Sequence, residues 1–279
     1  MTGIAVAVLG ARGFIGSAVV AAAQADPRVS TVRPVYRSGS DSGPDVVTAD
    51  VRDRDRLRSA LDGVDVVVNA AHVIGSGPDL AVNEVGPGLV AETAHAGGAR
   101  CLEIGTAAVY GRGPLRGGAE GDLTLHPDSA LSASRAAGEA RALDAGAVVL
   151  RPMIVVGRGD RWAVPAAAAA AAADPREPTA RVSAIDVDEL ARLVVSVALA
   201  PDLPPVLHAA RPRPTLLADL LGAAGYRTPP GAGVEAHVRA MLHTDRWVDA
   251  DLAWALAGWE PEGPLVGAAS RRWYGSPAG

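Results

Sequence analysis

Lysine is absent from this sequence of 279 residues, and cysteine and phenylalanine occur once each. Every long basic side chain is therefore an arginine, and a site that depends on a lysine amine is excluded anywhere in the chain. Cys101 has no second cysteine to pair with, so an internal disulfide and a cysteine metal cluster are also excluded. This cysteine usage suits a reducing compartment, and we predict a cytoplasmic protein.

Basic blocks and long apolar runs are missing as well. The formal net charge is −5 and the arginines are scattered, which argues against nucleic acid or an anionic membrane as the main partner. The alanine run 166–173 is far too short to cross a bilayer and is predicted to form a helix. No basic segment precedes the apolar run at Ile4, so no cleaved signal is expected there. The six histidines lack metal-ligand spacing, and no metal is predicted.

Short apolar runs alternate with helix-length segments through the first part of the chain, a pattern typical of βαβ units. We therefore predict an α/β fold, a Rossmann-type doubly wound parallel sheet with a smaller C-terminal substrate-binding lobe. The predicted core comprises residues 1–157 and 182–211, and the predicted lobe comprises residues 158–181 and 212–279. The strands predicted from these runs are Ile4–Leu9, Thr31–Tyr36, Val64–Asn69, Ala99–Ile104 and Ala147–Leu150.

Several helices are predicted from the same pattern. Ile15–Ala25 and Asp53–Leu61 have the length of helices between strands. Thr215 is predicted to cap a later helix that runs through Leu221 and ends at Gly222–Gly225.

Three glycines follow the first predicted strand at intervals of three and open the first helix. Glycines in this position allow the backbone to approach a pyrophosphate at the positive end of the helix. We therefore predict a bound dinucleotide, and a tight turn without a ligand is the alternative. The predicted contacts in this turn are Gly10, Arg12, Gly13, Phe14, Ile15 and Gly16.

The second predicted strand ends at Tyr36, and Arg37 and Ser38 follow it. A protein selective for NAD(H) usually carries an acidic residue here for the ribose 2′-hydroxyl, and this sequence has none. Arg12 and Arg37 could instead bind a 2′-phosphate, because guanidinium groups form charge-assisted hydrogen bonds with phosphate oxygens. We predict NADP(H) as the cofactor, with two solvated arginines as the alternative.

Six further motifs follow in order: Asn69-Ala-Ala-His72, Asn83-Glu-Val-Gly86, Ile104-Gly-Thr-Ala-Ala-Val-Tyr-Gly111, Leu150-Arg-Pro152 to Gly157, Ile185-Asp-Val-Asp-Glu189 and Gly258-Trp-Glu-Pro261. Together with the glycine spacing, they resemble the extended branch of the short-chain dehydrogenase/reductase superfamily, the epimerase/dehydratase-like proteins. The resemblance covers almost the whole chain.

This resemblance implies further cofactor contacts. An Asp-Val pair after the third strand contacts the adenine in the superfamily, and it corresponds to Asp50 and Val51, whereas Asp53 is predicted to cap the next helix. The end of the fourth strand lies beside the cofactor, and the Arg-Pro segment lies beside the nicotinamide. The residues implied by these two segments are Ala70, Ala71, Pro152 and Met153.

The resemblance breaks at the catalytic positions. The superfamily's Tyr-x-x-x-Lys pair aligns with Leu131 and Arg135. Leucine has no proton to give, and the pKa of arginine is too high for it to act as an acid. Arg135 could still hydrogen-bond the nicotinamide ribose, and Thr106, on the superfamily's Ser/Thr position, could polarise a substrate carbonyl.

Other candidates for substrate contact are less specific. His72 lies beside the expected nicotinamide site and could protonate an oxygen, or it could be satisfied by the backbone. Tyr110 is predicted to have a structural or pocket-lining role, and Trp162 could line an apolar pocket. Asp128 and Glu139 are predicted to be caps or solvated charges. Three other tryptophans are predicted to fill core: Trp247, Trp254 and Trp273.

Three functions from different classes remain open. The first is an NADPH-dependent ketoreductase whose proton comes from a substrate phenol next to the carbonyl. In lacking the usual tyrosine and lysine, the chain resembles the atypical ketoreductases of aromatic polyketide biosynthesis, including those that act on angucyclinones such as simocyclinone. The second is a non-catalytic dinucleotide sensor with a protein partner. The third is a nucleotide-sugar epimerase or dehydratase. The predicted partner is a small aromatic ketone, and a homodimer is allowed through the helices after Asn83 and Leu131.

Overall fold

The computed structural model describes residues 3–38, 47–74, 79–228, 234 and 236–276. The chain forms two compact units. The first comprises Met1–Gly111, Leu125–Arg151 and Ala191–Leu207, and the second comprises Arg112–Thr124, Pro152–Leu190 and His208–Gly279. This division differs from the one drawn on the sequence, because four segments assigned there to the core belong to the second unit: residues 112–124, 152–157, 182–190 and 208–211.

A seven-stranded sheet organises the first unit, with the strand order β11-β7-β5-β4-β1-β2-β3. Neighbouring strands from β3 to β7 pair in parallel. This is the predicted doubly wound α/β sheet, with its order reversing between β1 and β4. The strands of this sheet are β1 (Ile4–Leu9), β2 (Val29–Tyr36), β3 (Val47–Thr48), β4 (Val66–Asn69), β5 (Arg100–Ile104), β7 (Val148–Pro152) and β11 (Val206–Ala209).

The central strands form where the apolar runs predicted them, because both faces of a parallel sheet are covered by helices. Val66–Asn69 is buried at every position. Ala7, Leu9 and Val67 belong to the hydrophobic core of this unit, and each is at most 1% exposed. Burial of continuous apolar runs is the main source of stability here.

Short strands and small sheets characterise the second unit. Its four-stranded sheet has the order β12-β9-β13-β6, and its two-stranded sheet pairs β10 with β8. The core of this unit includes Val182, Leu217 and Tyr274. The strands are β6 (Leu115–Gly118), β8 (Ile154–Val156), β9 (Arg181–Val182), β10 (Ala184–Asp186), β12 (Thr215–Leu216) and β13 (Arg246–Val248).

Ten helices and one 3₁₀ turn occur among the described residues. None of these helices is both long and apolar enough to cross a membrane. The helices are α1 (Phe14–Ala25), α2 (Arg54–Ala60), α3 (Ala81–Ala96), α4 (Ala130–Asp144), α5 (Ala163–Ala173), α6 (Val187–Ala198), α7 (Leu217–Ala224), α8 (Ala236–Met241), α9 (Asp251–Ala257) and α10 (Ala268–Tyr274), and the 3₁₀ turn is Ala107–Tyr110.

Two of the predicted helix caps have different outcomes. Asp53 caps α2 as predicted, because its side chain accepts a hydrogen bond from the Arg56 backbone N–H at 3.0 Å. The prediction for Thr215 is wrong: this residue lies in β12 and pairs with Val182, and α7 starts after Leu216 without a side-chain cap. Because Thr215 pairs with Val182 in the sheet, it lies in a strand and not at the N-terminus of the helix.

Helices α3 and α4 pack closely against each other within the first unit. A Cβ on Gly138 would collide with the carbonyl oxygen of Asn83. That carbonyl lies four residues before Pro87, which has no N–H to donate to it. The Asn83 side chain also donates to Ser134 Oγ at 3.3 Å. Gly138 and Ser134 on α4 therefore serve a contact with α3 inside the chain.

Candidate active site

A groove of about 480 Å³ lies in the first unit, where the segments after β1, β2 and β4 meet. The strand order reverses between β1 and β4, and such a reversal opens a crevice at the carboxyl ends of the strands. Seven other residues that the sequence assigned to the cofactor are not part of its lining: Phe14, Ile15, Gly16, Asp50, Arg135, Pro152 and Met153. The predicted site residues that line it are Gly10, Arg12, Gly13, Arg37, Ser38, Val51, Ala70, Ala71 and His72.

Backbone geometry explains the glycines of the first turn. Gly10 has a φ of +74°, and a Cβ there would lie 2.6 Å from the Ala70 carbonyl oxygen. A Cβ on Gly16 would collide with the Gly10 carbonyl oxygen. Gly13 is the N-cap of α1 and supplies no side-chain acceptor, so the first amide groups of this helix are available to an anion.

Two arginines lie near the end of β2. Arg12 Nη1 donates to the Ser38 carbonyl oxygen at 2.9 Å, and its guanidinium carbon lies 4.6 Å from the centre of the Tyr36 ring. These contacts fix Arg12 beside the strand end. Arg37 is exposed and lines the same groove. The end of β2 is therefore positively charged, as the sequence predicted.

Asp50 is held by its neighbour. Arg52 donates to its carboxylate through Nε at 2.9 Å and Nη2 at 2.7 Å. These hydrogen bonds are the main reason that the pKa of Asp50 is lowered to about 2, and the charge of Arg37 adds to the effect. Asp50 is therefore ionised at neutral pH and next to the cofactor groove through Val51.

The segment after β4 is clamped from both sides. Asn69 Oδ1 accepts a hydrogen bond from the Ala71 backbone N–H at 3.2 Å. Asn83 accepts from the Val73 N–H at 2.9 Å and donates to the Val73 carbonyl at 3.0 Å. Both asparagine side chains belong to fully buried residues. The backbone on each side of His72 is therefore fixed.

His72 makes its hydrogen bond to a carboxylate and not to the backbone. Its Nε2 lies 2.5 Å from Glu103 Oε1, and Asn69 Nδ2 donates to Glu103 Oε2 at 2.6 Å. Burial lowers the pKa of His72, the positive charge of Arg135 lowers it further, and Glu103 opposes both. His72 is therefore neutral at pH 7, and its Nε2 carries the proton because a carboxylate only accepts.

Leu131 and Arg135 lie on α4, as the alignment of the catalytic pair required. Leu131 is half-buried in the first turn of the helix. Arg135 Nη2 donates to the Ile104 carbonyl oxygen at 2.6 Å. Burial lowers the pKa of Arg135, and the negative charges of Glu103 and Glu139 oppose this. Arg135 thus lies between two buried carboxylates.

The prediction that Glu139 is a cap or a solvated charge is wrong. Glu139 is 1% exposed. Its carboxylate accepts hydrogen bonds from Arg151 Nε at 2.8 Å and from the Thr106 backbone N–H at 2.9 Å. Burial raises the pKa of Glu139, and these partners oppose the rise. The carboxylate thereby ties α4 to β7 and to the start of the 3₁₀ turn. Asp128, in contrast, is exposed.

Thr106 and Tyr110 occupy the two ends of the 3₁₀ turn. Thr106 Oγ1 accepts from the Ala108 backbone N–H at 3.1 Å, which leaves its own hydroxyl proton for another acceptor. Tyr110 is 4% exposed, and its hydroxyl accepts from Arg151 Nη1 at 2.7 Å. These contacts favour the structural role for Tyr110 over contact with a substrate.

The remaining predicted residues belong to the second unit. Pro152 is buried and Met153 is half-buried. Trp162 is 60% exposed and precedes α5. Trp254 is 4% exposed and donates to the Ala210 carbonyl at 2.6 Å, whereas Trp247 and Trp273 are only partly buried.

Glu103 is the residue of this site that sequence reasoning missed. It lies near the carboxyl end of β5 and is 1% exposed. A single carboxylate inside an apolar strand was the available signal, because a buried charge requires a partner. No group of three or more His, Cys, Asp or Glu side chains suited to a metal occurs in the part of the chain that the structure describes.

Family membership follows from the sequence comparison. The model of the NAD-dependent epimerase/dehydratase family matches residues 6–206. The chain belongs to this family. A search of curated proteins finds no significant match. The epimerase/dehydratase assignment agrees with the extended branch that the sequence motifs indicated.

Solved structures of this fold are similar over nearly their whole length. UDP-glucuronic acid 4-epimerase from Bacillus cereus, in complex with NAD, has a TM-score of 0.73 at 18% identity, with 98% of this chain and 99% of that chain covered. dTDP-glucose 4,6-dehydratase from Bacillus anthracis, also with NAD, has a TM-score of 0.75 at 16% identity, with 98% and 96% covered. A short-chain dehydrogenase/reductase superfamily protein from Agrobacterium tumefaciens with bound NAD has a TM-score of 0.72 at 20% identity, with 94% and 93% covered. At these identities, the likeness concerns the fold.

Proposed function

We propose that this chain is an NADP(H)-dependent oxidoreductase that reduces a carbonyl group of an aromatic, polyketide-type ketone. The observation that carries the proposal is Leu131: a cofactor groove with its glycine turn is kept, while the position of the superfamily's proton donor holds a hydrocarbon. Hydride transfer does not need that donor. The proton has to come from another group, and the substrate phenol predicted above is one such group.

The groove suits a dinucleotide in shape and charge. Cβ atoms at Gly10 or Gly16 would collide with backbone carbonyl oxygens, so glycine is needed at both positions of this close turn, and α1 begins without a side-chain cap. Arg12 and Arg37 supply positive charge at the end of β2, where a 2′-phosphate would lie. When bound, the reduced dinucleotide supplies the hydride. Thr106 retains a hydroxyl proton with which it can hydrogen-bond the carbonyl oxygen.

Nucleotide-sugar chemistry is the second candidate, and the comparisons support it. Two of the similar structures are named as a nucleotide-sugar epimerase and a dehydratase. In the superfamily, such reactions need a base and an acid at the tyrosine position that Leu131 occupies in this chain. Leu131 supplies neither, and a sugar carries no phenol to replace it. This candidate therefore ranks below carbonyl reduction.

The first test measures cofactor binding and turnover together. We expect NADPH to bind tighter than NADH in a calorimetric titration, and tighter NADH binding would reverse the cofactor assignment. We expect NADPH oxidation with aromatic hydroxyketones and no turnover of UDP- or dTDP-sugars. NADPH binding without turnover of any ketone would instead support the sensor, and conversion of a nucleotide sugar would support the second candidate.

A further inference from the structure

A buried polar cluster lies at the carboxyl ends of two adjacent strands. Asn69 and Glu103 are direct partners in the parallel register of β4 and β5, and their side chains hydrogen-bond at 2.6 Å. The second carboxylate oxygen lies 2.5 Å from His72 Nε2. The cluster therefore uses both Glu103 oxygens, one for an amide and one for an imidazole. A histidine held by a carboxylate in this way has a fixed ring orientation.

His72 is held between this cluster and the cofactor groove. Its side chain is 6% exposed, and the residue lines the groove together with Ala70 and Ala71. With Nε2 engaged by Glu103, the other ring nitrogen, Nδ1, has no hydrogen bond to any described residue. Nδ1 is therefore the nitrogen with which the ring can reach a ligand.

We propose that His72 exchanges the reaction proton with the substrate oxygen through Nδ1, while Glu103 and Asn69 act as positioning residues. This inference rests on the proposed carbonyl reduction. In the reduction, the carbonyl carbon receives a hydride from the dihydronicotinamide, which is oxidised to the nicotinamide cation. The π electron pair of the carbonyl moves to its oxygen, which takes a proton from the His72 imidazolium. Neutral His72 then takes up a proton from water, and the reverse sequence oxidises the alcohol.

Other groups near the site are less suitable as proton donors. Leu131 has no acidic proton. The Tyr110 hydroxyl is buried and accepts from Arg151. The Thr106 hydroxyl is too weak an acid to complete the reaction alone, although it can polarise the carbonyl. Among these residues, only His72 has a side chain of a type that exchanges protons near neutral pH and also lines the groove.

The charges around His72 determine the direction of the pH dependence. Glu103 faces it from β5 and Arg135 faces it from α4, whereas Asn69 on β4 is neutral. Burial lowers the pKa of His72 and Arg135 lowers it further, so the ring is neutral at pH 7. Alcohol oxidation, which needs the neutral ring, is therefore supported at neutral pH. Carbonyl reduction needs the imidazolium, so its rate should rise as the pH falls toward the His72 pKa.

The decisive experiment compares His72→Gln with His95→Gln, which changes an exposed histidine on α3. With NADPH bound, we expect His72→Gln to slow single-turnover reduction about 10²- to 10⁴-fold, to remove the rise in rate at low pH and to leave the NADPH affinity unchanged. His95→Gln should keep the wild-type rate and pH profile. In His72→Ala, added imidazole should restore part of the rate.

The substrate distinguishes a protein donor from a phenol. A ketone with a free phenol and its methyl ether should both be reduced by the wild type, and His72→Gln should slow both. If His72→Gln reduces the phenolic ketone as fast as the wild type and with the same pH profile, His72 is not the proton donor. If the methyl ether is then not reduced, the substrate phenol is the proton donor. Parallel losses of rate and NADPH affinity in His72→Gln would also overturn the inference. Absence of NADPH oxidation by the wild type with every ketone overturns the proposed function and this inference together.

A readout without turnover tests the geometry. In ¹⁵N NMR spectra of the NADPH-bound protein, the His72 ring should show a protonated Nε2 and a pKa below 6.5. Glu103→Gln should lower that pKa further, because it removes the negative charge that favours the imidazolium. A His72 ring with a protonated Nδ1 in the wild type would contradict the arrangement.

Discussion

Glu139 and Arg151 form an ion pair at 2.8 Å, with side chains that are 1% and 5% exposed. The pair joins α4 to β7 and also engages Thr106 and Tyr110. Each charge would be unfavourable in this position without the other. The position of α4 in the first unit therefore depends on a contact outside the groove.

Arg151→Met tests this contact. The substitution keeps much of the side-chain volume but leaves Glu139 buried without the cation that hydrogen-bonds its carboxylate, so we expect a loss of about 3–5 kcal/mol in the free energy of unfolding. Urea denaturation followed by far-UV circular dichroism would measure it. Arg54→Met is the matched control, because Arg54 and Glu92 form a pair with about half of each side chain exposed, and its loss should stay below about 1 kcal/mol. Equal losses in the two variants would contradict the prediction.

Gly10→Ala should weaken cofactor binding. An alanine here combines an unfavourable φ of +74° with a contact of 2.6 Å to the Ala70 carbonyl oxygen, and strain of this kind costs about 1–3 kcal/mol. We expect NADPH to bind about tenfold to a hundredfold more weakly in calorimetry. Gly146→Ala is the control, because Gly146 has a φ of +83° but open space around its Cβ position. It should leave NADPH affinity unchanged.

Arg37→Ala should change cofactor selectivity and not cofactor binding in general. A hydrogen bond to a charged group contributes about 1.5–3 kcal/mol, so NADPH affinity should fall about tenfold to a hundredfold while NADH affinity stays the same. Arg58→Ala, on the exposed face of α2, should alter neither constant. A similar loss for both cofactors in Arg37→Ala would indicate that this arginine does not recognise a 2′-phosphate.

Asp50→Asn should reveal a pH-dependent contribution to stability. Arg52 holds the pKa of Asp50 at about 2, below its usual value of 3.8, so the folded state favours the carboxylate. The contribution is complete above pH 4 and is lost as the pH falls through about 2. We expect the variant to be about 1 kcal/mol less stable at pH 7, with the difference shrinking on acidification. A stability difference that stays constant between pH 7 and pH 2 would contradict this prediction.

Apolar runs were sufficient to predict the central sheet. β1 has the predicted bounds, and the other four predicted strands are displaced by at most two residues at either end. Continuous burial on both faces makes such strands visible without knowledge of their partners. The strands of the second unit were missed because they are two to four residues long and depend on pairing between distant segments.

Charged residues of the site show the opposite behaviour. The glycine turn and Arg37 could be assigned to the groove from sequence, because each directly follows a strand that the apolar runs predicted. Glu139 was misassigned and Glu103 was overlooked, since their partners lie 12 and 31 or more residues away in sequence. A charged residue inside a helix or strand cannot be recognised as buried from sequence alone, because its partner is distant in the chain and only the fold places the two side by side.

The Asn83 side chain has a consequence for engineering. One amide holds the Val73 backbone after β4 and also bonds Ser134, which lies between Leu131 and Arg135 on α4. A designer who rebuilds a tyrosine at position 131 would therefore work on a helix that is mechanically coupled to the loop carrying His72. Acid groups at these two positions should be introduced, removed or exchanged as a set, with Asn83 retained as their common support.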